Sequence, residues 1–485
     1  MSPEVVIKIP LALAVRAGVR EIWAQADNVA GALRELAAQA PRLKKYLFHP
    51  EGGFRDLIRV QAGDRLIGAE SFDDSLLSSG QTLTLAPQAR GGSDQSSVGS
   101  LVGSKPLPTL DQEEITRYSR HLLLPEIGVK GQKRLKAARV LVVGAGGLGS
   151  PLALYLAAAG VGTIGLIDDD EVELSNLQRQ ILHSQADLGR PKVFSGRDRL
   201  LAINPRINVE AMKTRLDRHN ALDILKSWDL VCDGTDNFPT RYLLNDAAAF
   251  LGLPLVYGSI FQFEGQVSVF WAREGPCYRC LYPTPPSPGL APSCGEAGVM
   301  GVITGLVGAI QAAEAIKLIV GEAKGLLGRL ILVDSWLMEF TELAIEKDPG
   351  CPLCGRAPTI TELVDYELFC GVETPAALEA PGLSALELKK RLASGPPLQI
   401  LDIREPQEKE LFKFPGAKEM SFEEITGRLG ELDPTVDTIV ICKIGQRSLF
   451  AIRALKKAGY NGPLFNLKEG ANAWARDVDP TVAGY

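Results

Sequence analysis

The sequence predicts an α/β multidomain chain, three different domains in series. Three observations carry this. The 485 residues are enough for about three domains at roughly 150 residues each. A run rich in Gly, Ser and Pro, GGSDQSSVGSLVGSKPLPTL from Gly91 to Leu110, has linker composition. After it come an apolar strand, a glycine turn, a helix and a second strand ending in acids, the order of a parallel α/β sheet. With 46% apolar and 23% charged residues, the composition excludes wholesale disorder. A net charge of -6 excludes a general nucleic-acid coat, which needs concentrated basic surface.

Residues 1–92 form the first domain. EVVIKIP reads as a strand, NVAGALRELAAQ as an amphipathic helix with a polar start at Asn28, and FRDLIRV, DRLI and QTLTLAP as short strands. Residues 93–110 are the linker. The second domain spans 111–358: RVLVV is a fully apolar strand, GAGGLGS the turn, PLALYLAAAG a helix and VGTIGLIDDD the next strand, with more strands in DLVCDGTDN and LPLVYGS. GVMGVITGLVGAIQAAEAIKLIV is apolar enough to resemble a membrane span, but its glycines and the Gln311 and Glu314 pair favour a buried helix, so no membrane partner is expected. The third domain spans 379–485. LQILDIRE and DTIVICK are its strands, and SLFAIRALKKAGY is a helix starting near Ser448. MSPEVVIKIP lacks the pattern of a secretory signal. Eight cysteines are too sparse for a disulfide scaffold, and four of them form two C-x-x-C pairs, so a reducing, cytoplasmic setting is expected.

In the second domain, Gly144, Gly146, Gly147 and Gly149 lie between strand and helix, where backbone amides approach a phosphate closely; a tight packing turn would use the same residues. Asp168 ends the second strand, where a carboxylate grips a ribose hydroxyl, and Asp236 follows a later strand, where a carboxylate suits Mg²⁺ held against phosphates. Arg179, Lys192, Arg117, Arg120 and Asn176 add the counter-charges and donors of a nucleoside triphosphate, which a dehydrogenase would not require. Cys277 and Cys280, then Cys351 and Cys354, form two knuckles whose four thiolates fit a closed tetrahedral Zn²⁺ site.

RYSRHLLLPEIG, VLVVGAGGLGSP, LIDDDEVELSNLQRQ, GRPK, INPR, CDGTDN and CGEAGVMG resemble, in order and spacing, the MoeB/ThiF-like adenylyltransferases that act on sulfur-carrier proteins for molybdopterin and thiamine synthesis, relatives of ubiquitin-activating enzymes. The resemblance implies a Rossmann-like domain with ATP, Mg²⁺ and Zn²⁺ as cofactors. It implies a homodimer in which Arg120 reaches the neighbouring subunit's ATP, with Asp168 on ribose, Asn176, Arg179 and Lys192 on phosphates, and Asp236 on Mg²⁺. Cys294 is either a packed core thiol or, as the resemblance implies for some relatives, a carrier of the acyl or sulfur adduct.

Cys442 ends DTIVIC and opens the loop CKIGQR before a helix. Loop amides, the helix terminus and Arg447 there stabilise a thiolate or persulfide anion. This loop, LDIREPQE, FPGA and NLKEGANAWARDVDPTVAGY resemble the rhodanese family, which implies an α/β domain transferring sulfur from a small-molecule or protein donor. Relatives commonly have Arg at the Lys443 position and Gly at the Glu469 position. Asp402 and Arg404 either wall the pocket or form a simple salt bridge. The first domain, ending in QARGG at Gly91 and Gly92, resembles the MoaD/ThiS-like ubiquitin-like sulfur carriers, which implies a β-grasp fold. Ser93 follows Gly92, so a carrier carboxylate needs a processing protease; otherwise the domain is a docking module and a separate carrier is the substrate.

The expected function is ATP-dependent adenylation of a carrier's C-terminal glycine, then sulfur transfer from a Cys442 persulfide to give a thiocarboxylate. The alternatives are an activating enzyme for ubiquitin-like conjugation, or a scaffold that docks through the fused domain.

Overall fold

The computed structural model describes residues 2–9, 21–48, 52–54, 58–62, 65–87, 101, 106–286, 298–321, 325–370, 380–414, 416–422, 424–482 and 484. The chain separates into two compact units, residues 1–370 and 371–485. Among the described residues the strands form three sheets.

In the first sheet β1 (Glu4–Lys8), β2 (Glu21–Gln25), β3 (Ile58–Ala62), β4 (Arg65–Gly68) and β5 (Thr82–Pro87) lie in the order β2-β1-β5-β3-β4. β1 and β5 are parallel and the other pairs antiparallel. Burial alternates along β2, with Ile22 and Ala24 inside and Glu21, Trp23 and Gln25 outside, as a one-sided sheet requires. The inner face meets α1 (Val29–Gln39) through Val29, Leu33 and Leu36. The helix begins where sequence chemistry places it: the Asn28 side chain accepts the Gly31 N–H at 2.8 Å.

The second sheet comprises β6 (Arg139–Val143), β7 (Thr163–Ile167), β8 (Asn208–Met212), β9 (Leu230–Asp233), β10 (Leu255–Phe261), β11 (Glu264–Phe270), β12 (Arg329–Asp334) and β13 (Glu339–Ala344), ordered β13-β12-β11-β10-β9-β6-β7-β8. β10 to β8 pair in parallel, and β11, β12 and β13 continue antiparallel. β6 is apolar at successive positions because both its faces are covered. Val140 and Val142 enter one core with Leu156, Val307 and Ile319, whereas Leu141 and Val143 enter another with Tyr242, Leu244 and Ala247. The helices supplying these residues are α2 (Gly149–Ala159), α4 (Phe238–Leu251) and α6 (Gly301–Val320), with α3 (Lys192–Ile203) beside β8 and the short α5 (Tyr278–Leu281) beside α4. α6 is long and apolar enough to cross a membrane by length and composition. Here it packs on α2, β10 and β11 as a core helix. Two of its buried side chains hold neighbouring backbone: Gln311 donates to the Asp233 carbonyl at 2.7 Å, and Glu314 accepts the Leu326 N–H at 2.7 Å.

Beyond the second cysteine knuckle the chain remains with the first unit as far as Cys370. A short helix, α7 (Tyr366–Phe369), buries Tyr366, whose hydroxyl donates to Asp246 at 2.7 Å.

The second unit holds a parallel sheet of β14 (Gly382–Leu383), β15 (Leu398–Asp402), β16 (Lys418–Glu419), β17 (Asp437–Ile441) and β18 (Leu464–Leu467), ordered β14-β18-β17-β15-β16. Val440 faces one core and Ile439 and Ile441 the other, so β17 is covered on both sides. α8 (Gln446–Lys457) and α9 (Gly470–Asp477) flank it. The first of these starts two residues before the Ser448 start read from the sequence.

Candidate active sites

A cavity of about 300 Å³ opens at the C-terminal ends of β6, β7 and β9, where strand order reverses direction about β6. Gly144, Gly146, Gly147, Asp168, Arg179, Lys192 and Asp236 line it together. The glycine turn is sterically obligatory at its ends. Gly144 has φ +92°, and a Cβ there would lie 2.7 Å from the Gly234 oxygen; a Cβ on Gly149 would lie 1.8 Å from the Gly144 oxygen.

Asp168 is held by backbone donors. Its carboxylate accepts the Ala145 N–H at 2.8 Å and the Asp170 N–H at 2.9 Å. Burial raises its pKa above the ordinary carboxylate value, against the pull of Lys192. Lys192 opens α3 and is only 5% exposed. Its ammonium donates to Asp170 at 2.7 Å, which supplies the counter-ion a buried lysine needs. Arg179 donates to the Ser175 carbonyl at 3.0 Å. At the end of β9, Asp233 is fully buried and anchors the turn, accepting the Thr235 N–H at 2.9 Å and its hydroxyl at 2.6 Å. That leaves Asp236 exposed at the cavity, just before Asn237, which caps α4 by accepting the Thr240 N–H at 3.0 Å. The cavity thus brings backbone amides, an arginine and a lysine together with the carboxylates of Asp168, Asp170 and Asp236, a charge arrangement for a phosphate chain with its counter-cation.

The cysteine knuckles close on one another. Cys277 Sγ lies 3.9 Å from Cys280 Sγ and 3.6 Å from Cys351 Sγ, and Cys280 Sγ lies 3.4 Å from Cys354 Sγ. Tetrahedral Zn–S bonds of about 2.3 Å imply sulfur separations of about 3.8 Å, so the quartet fits a metal ion of that kind. Hydrogen bonds among the four sulfurs lower the Cys280 and Cys351 thiols and raise those of Cys277 and Cys354. Around the quartet, Leu353 and Ile360 form an apolar shell.

In the second unit Cys442 is fully buried at the end of β17. The Gly445 N–H donates to its Sγ at 3.1 Å, and the Ser448 Oγ lies 3.4 Å away. The loop carbonyls are turned aside: the Cys442 oxygen accepts the Ala471 N–H at 2.8 Å and the Lys443 oxygen accepts the Asn472 N–H at 3.1 Å, both from the first turn of α9. Gly470 permits that contact, since a Cβ there would lie 2.2 Å from the Cys442 oxygen. A thiol that meets the Gly445 amide and the Ser448 hydroxyl in this way suits an anionic sulfur.

Against known proteins, the ThiF family matches residues 118–353 and the rhodanese-like domain matches 384–477. "Probable adenylyltransferase/sulfurtransferase MoeZ" of Mycobacterium tuberculosis is 48% identical over 390 residues, covering 79% of this chain and 98% of that protein. "Adenylyltransferase and sulfurtransferase MOCS3" of Anopheles gambiae is 44% identical over 404 residues, covering 78% and 90%. "Sulfur carrier protein adenylyltransferase" of Thermus thermophilus is 54% identical over 266 residues, covering 54% and 98%.

The chain belongs to the adenylyltransferase/sulfurtransferase family. It is an enzyme with both activities, the ThiF-like fold providing the ATP-binding cavity and the rhodanese fold the cysteine loop.

Within this adenylyltransferase/sulfurtransferase, several residues singled out from the sequence stand apart from the cavity. Asn176 is buried and spends its side-chain oxygen on the Glu173 N–H at 3.1 Å, capping a 3-10 turn. Gly149 acts in packing, as its contact with Gly144 shows. Arg120 is exposed on a short helix, Ser119–Leu122, and is absent from the cavity lining. Arg447 places its guanidinium on Glu408, at 2.6 and 2.7 Å, so a carboxylate shares the charge expected to serve Cys442. Asp402 and Arg404 form a buried ion pair at 2.8 Å. Gly91, Gly92 and Cys294 lie outside the described residues.

Other cavity residues escaped sequence reading. Asp170, Gln180, Thr235 and Asn237 sit inside motifs already noticed, where only their neighbours had been given roles. Thr214 and Arg215 follow β8 with no local signal at all.

Proposed function

We propose that the enzyme adenylates the C-terminal glycine of a sulfur-carrier protein and then delivers sulfur to it from Cys442. The carrier carboxylate attacks the α-phosphorus of ATP and pyrophosphate leaves. A carboxylate nucleophile needs no protein base, so alignment by the glycine turn and charge neutralisation by Arg179 and Lys192 carry the step. Asp168 holds the ribose, and Asn176 joins the phosphate set once its cap rearranges. Asp236 would hold Mg²⁺, which when bound would supply positive charge to the phosphates. Zn²⁺ at Cys277, Cys280, Cys351 and Cys354 is structural. The terminal sulfur of a Cys442 persulfide then attacks the acyl carbon and AMP leaves. A second thiol, for which Cys294 is a candidate, cleaves the resulting acyl disulfide by bonding to the Cys442 sulfur and so frees the thiocarboxylate.

The observation that carries this reading is the pairing of a phosphate-type cavity in one unit with an amide-faced cysteine in the other. A homodimer in which Arg120 completes the partner's site, and a cytoplasmic setting, belong to the same proposal. So does a β-grasp carrier identity for the first domain, which its strand order β2-β1-β5-β3-β4 and the packing of α1 on the sheet support. That carrier becomes competent when a protease exposes the Gly92 carboxylate. The test is intact-mass analysis of the chain and of diglycine carriers, including residues 1–92 supplied separately, after incubation with ATP and thiosulfate. Oxygen-to-sulfur exchange adds about 16 Da to a carrier. An adenylate without this gain contradicts the sulfur step, and gain on an external carrier alone makes the fused domain a docking module.

A further inference from the structure

His183 stands four residues after Arg179 and is 7% exposed. Its ring spans two elements. Nε2 lies 2.9 Å from the Ala145 carbonyl oxygen and Nδ1 lies 2.9 Å from the Ser195 hydroxyl. A carbonyl oxygen only accepts, so Nε2 carries the proton and, in the neutral ring, Nδ1 accepts from Ser195. Burial favours that neutral ring, holding the His183 pKa below the ordinary histidine value. Ser195 is on the first turn of α3, three residues beyond Lys192. One side chain therefore ties together the glycine turn, the segment bearing Arg179 and the helix bearing Lys192.

The Ala145 residue is gripped at both ends, its N–H by Asp168 and its carbonyl by His183. A trans peptide is planar, with C=O and the next N–H pointing in opposite directions. Pinning the Ala145 carbonyl on His183 therefore turns the Gly146 N–H away from the ring. Gly146 lines the cavity, and among the described residues no backbone carbonyl accepts its N–H. We infer that His183 is a positioning residue, which aims the Gly146 amide into the cavity as a phosphate donor and fixes its spacing from Lys192. This rests on the reading of the cavity as an ATP site.

The experiment measures equilibrium binding of ATP and of adenosine, which has the base and ribose but no phosphate, to the full-length protein and to His183→Ala, His183→Gln and Ser195→Ala. Misdirecting one hydrogen bond to a charged phosphate weakens ATP about tenfold in His183→Ala. Adenosine affinity stays unchanged. A glutamine Nε2–H replaces the lost donor, so His183→Gln recovers most of the ATP affinity. Ser195→Ala keeps the ring but removes its second tether, giving a smaller loss confined to ATP. A first-unit transition in scanning calorimetry like the parent's reports that each variant is folded there, while sulfur transfer from thiosulfate to cyanide at Cys442, in the other unit, stays at the parent rate. Unchanged ATP binding in His183→Ala, or equal weakening of ATP and adenosine, overturns the inference. If His183→Ala does not fold, ATP-selective loss in Ser195→Ala still supports it and its absence overturns it. Failure of the unsubstituted protein to bind ATP instead overturns the reading of the cavity.

Discussion

Replacing Asp246 by alanine should unfold the first unit far more readily than its position, remote from substrate, implies. Arg279 sits inside the first cysteine knuckle, 1% exposed, and forks onto the fully buried Asp246 at 2.8 and 2.7 Å. Its guanidinium also lies over the rings of Tyr242 and Phe369, 4.8 and 4.6 Å from their centroids. The Tyr366 hydroxyl donates to the same carboxylate. Asp246 thus links α4 to the knuckle and to the last helix of the unit. Removing it strands a buried guanidinium, at a cost of about 3–5 kcal/mol. At roughly 2–4 °C per kcal/mol, the first unit's transition should fall by about 6–20 °C. Scanning calorimetry of the full chain reads this, with the rhodanese transition unmoved. Asp246→Leu with Arg279→Met removes both charges and should recover more than half of the loss. A fall below about 1 kcal/mol, or a double variant no better than the single one, would refute the claim that an unpaired buried charge sets the effect.

Three other predictions address the sites. Asp236→Ala should abolish exchange between ATP and pyrophosphate while Cys442 persulfide formation, followed by mass, proceeds unchanged; equal loss of both in a folded variant would contradict their assignment to separate units. Metal analysis should find one Zn²⁺ per chain on the four knuckle cysteines, and because these staple segments 74 residues apart, strong chelation should lower the first unit's melting temperature. An active, folded, zinc-free preparation would rule this out. Glu469 has φ +57°, a left-handed conformation that costs a non-glycine residue about 1–2 kcal/mol, whereas its exposed ion pair with Arg476 contributes little. Glu469→Gly should therefore raise rhodanese stability by about 1 kcal/mol, and a drop in denaturant midpoint would sink that account.

Much of the chemistry was legible before any fold. GAGGLGS, the acids after TIGLI and LVCD, and the paired cysteines are local patterns: a glycine turn, a strand end and a knuckle are each specified by residues within one turn of chain. The apolar runs of β6 and β17 likewise announced strands, and the structure covers both of their faces. By itself, then, the sequence determined the class of sheet, the glycine turn, the metal-type cysteine quartet and the thiol at a strand end. What only the tertiary structure decided was pairing. Nothing local distinguishes Arg447 as a partner for Glu408 from Arg447 as a free charge beside Cys442. Asn176 carries the same side chain whether it binds phosphate or caps Glu173. His183 looks like one polar residue among many until Ala145, 38 positions earlier, folds against it. The physical reason is that a side chain's charge and donors are fixed by its type, whereas the group that satisfies them once water is excluded comes from whichever distant segment the core brings within about 3 Å.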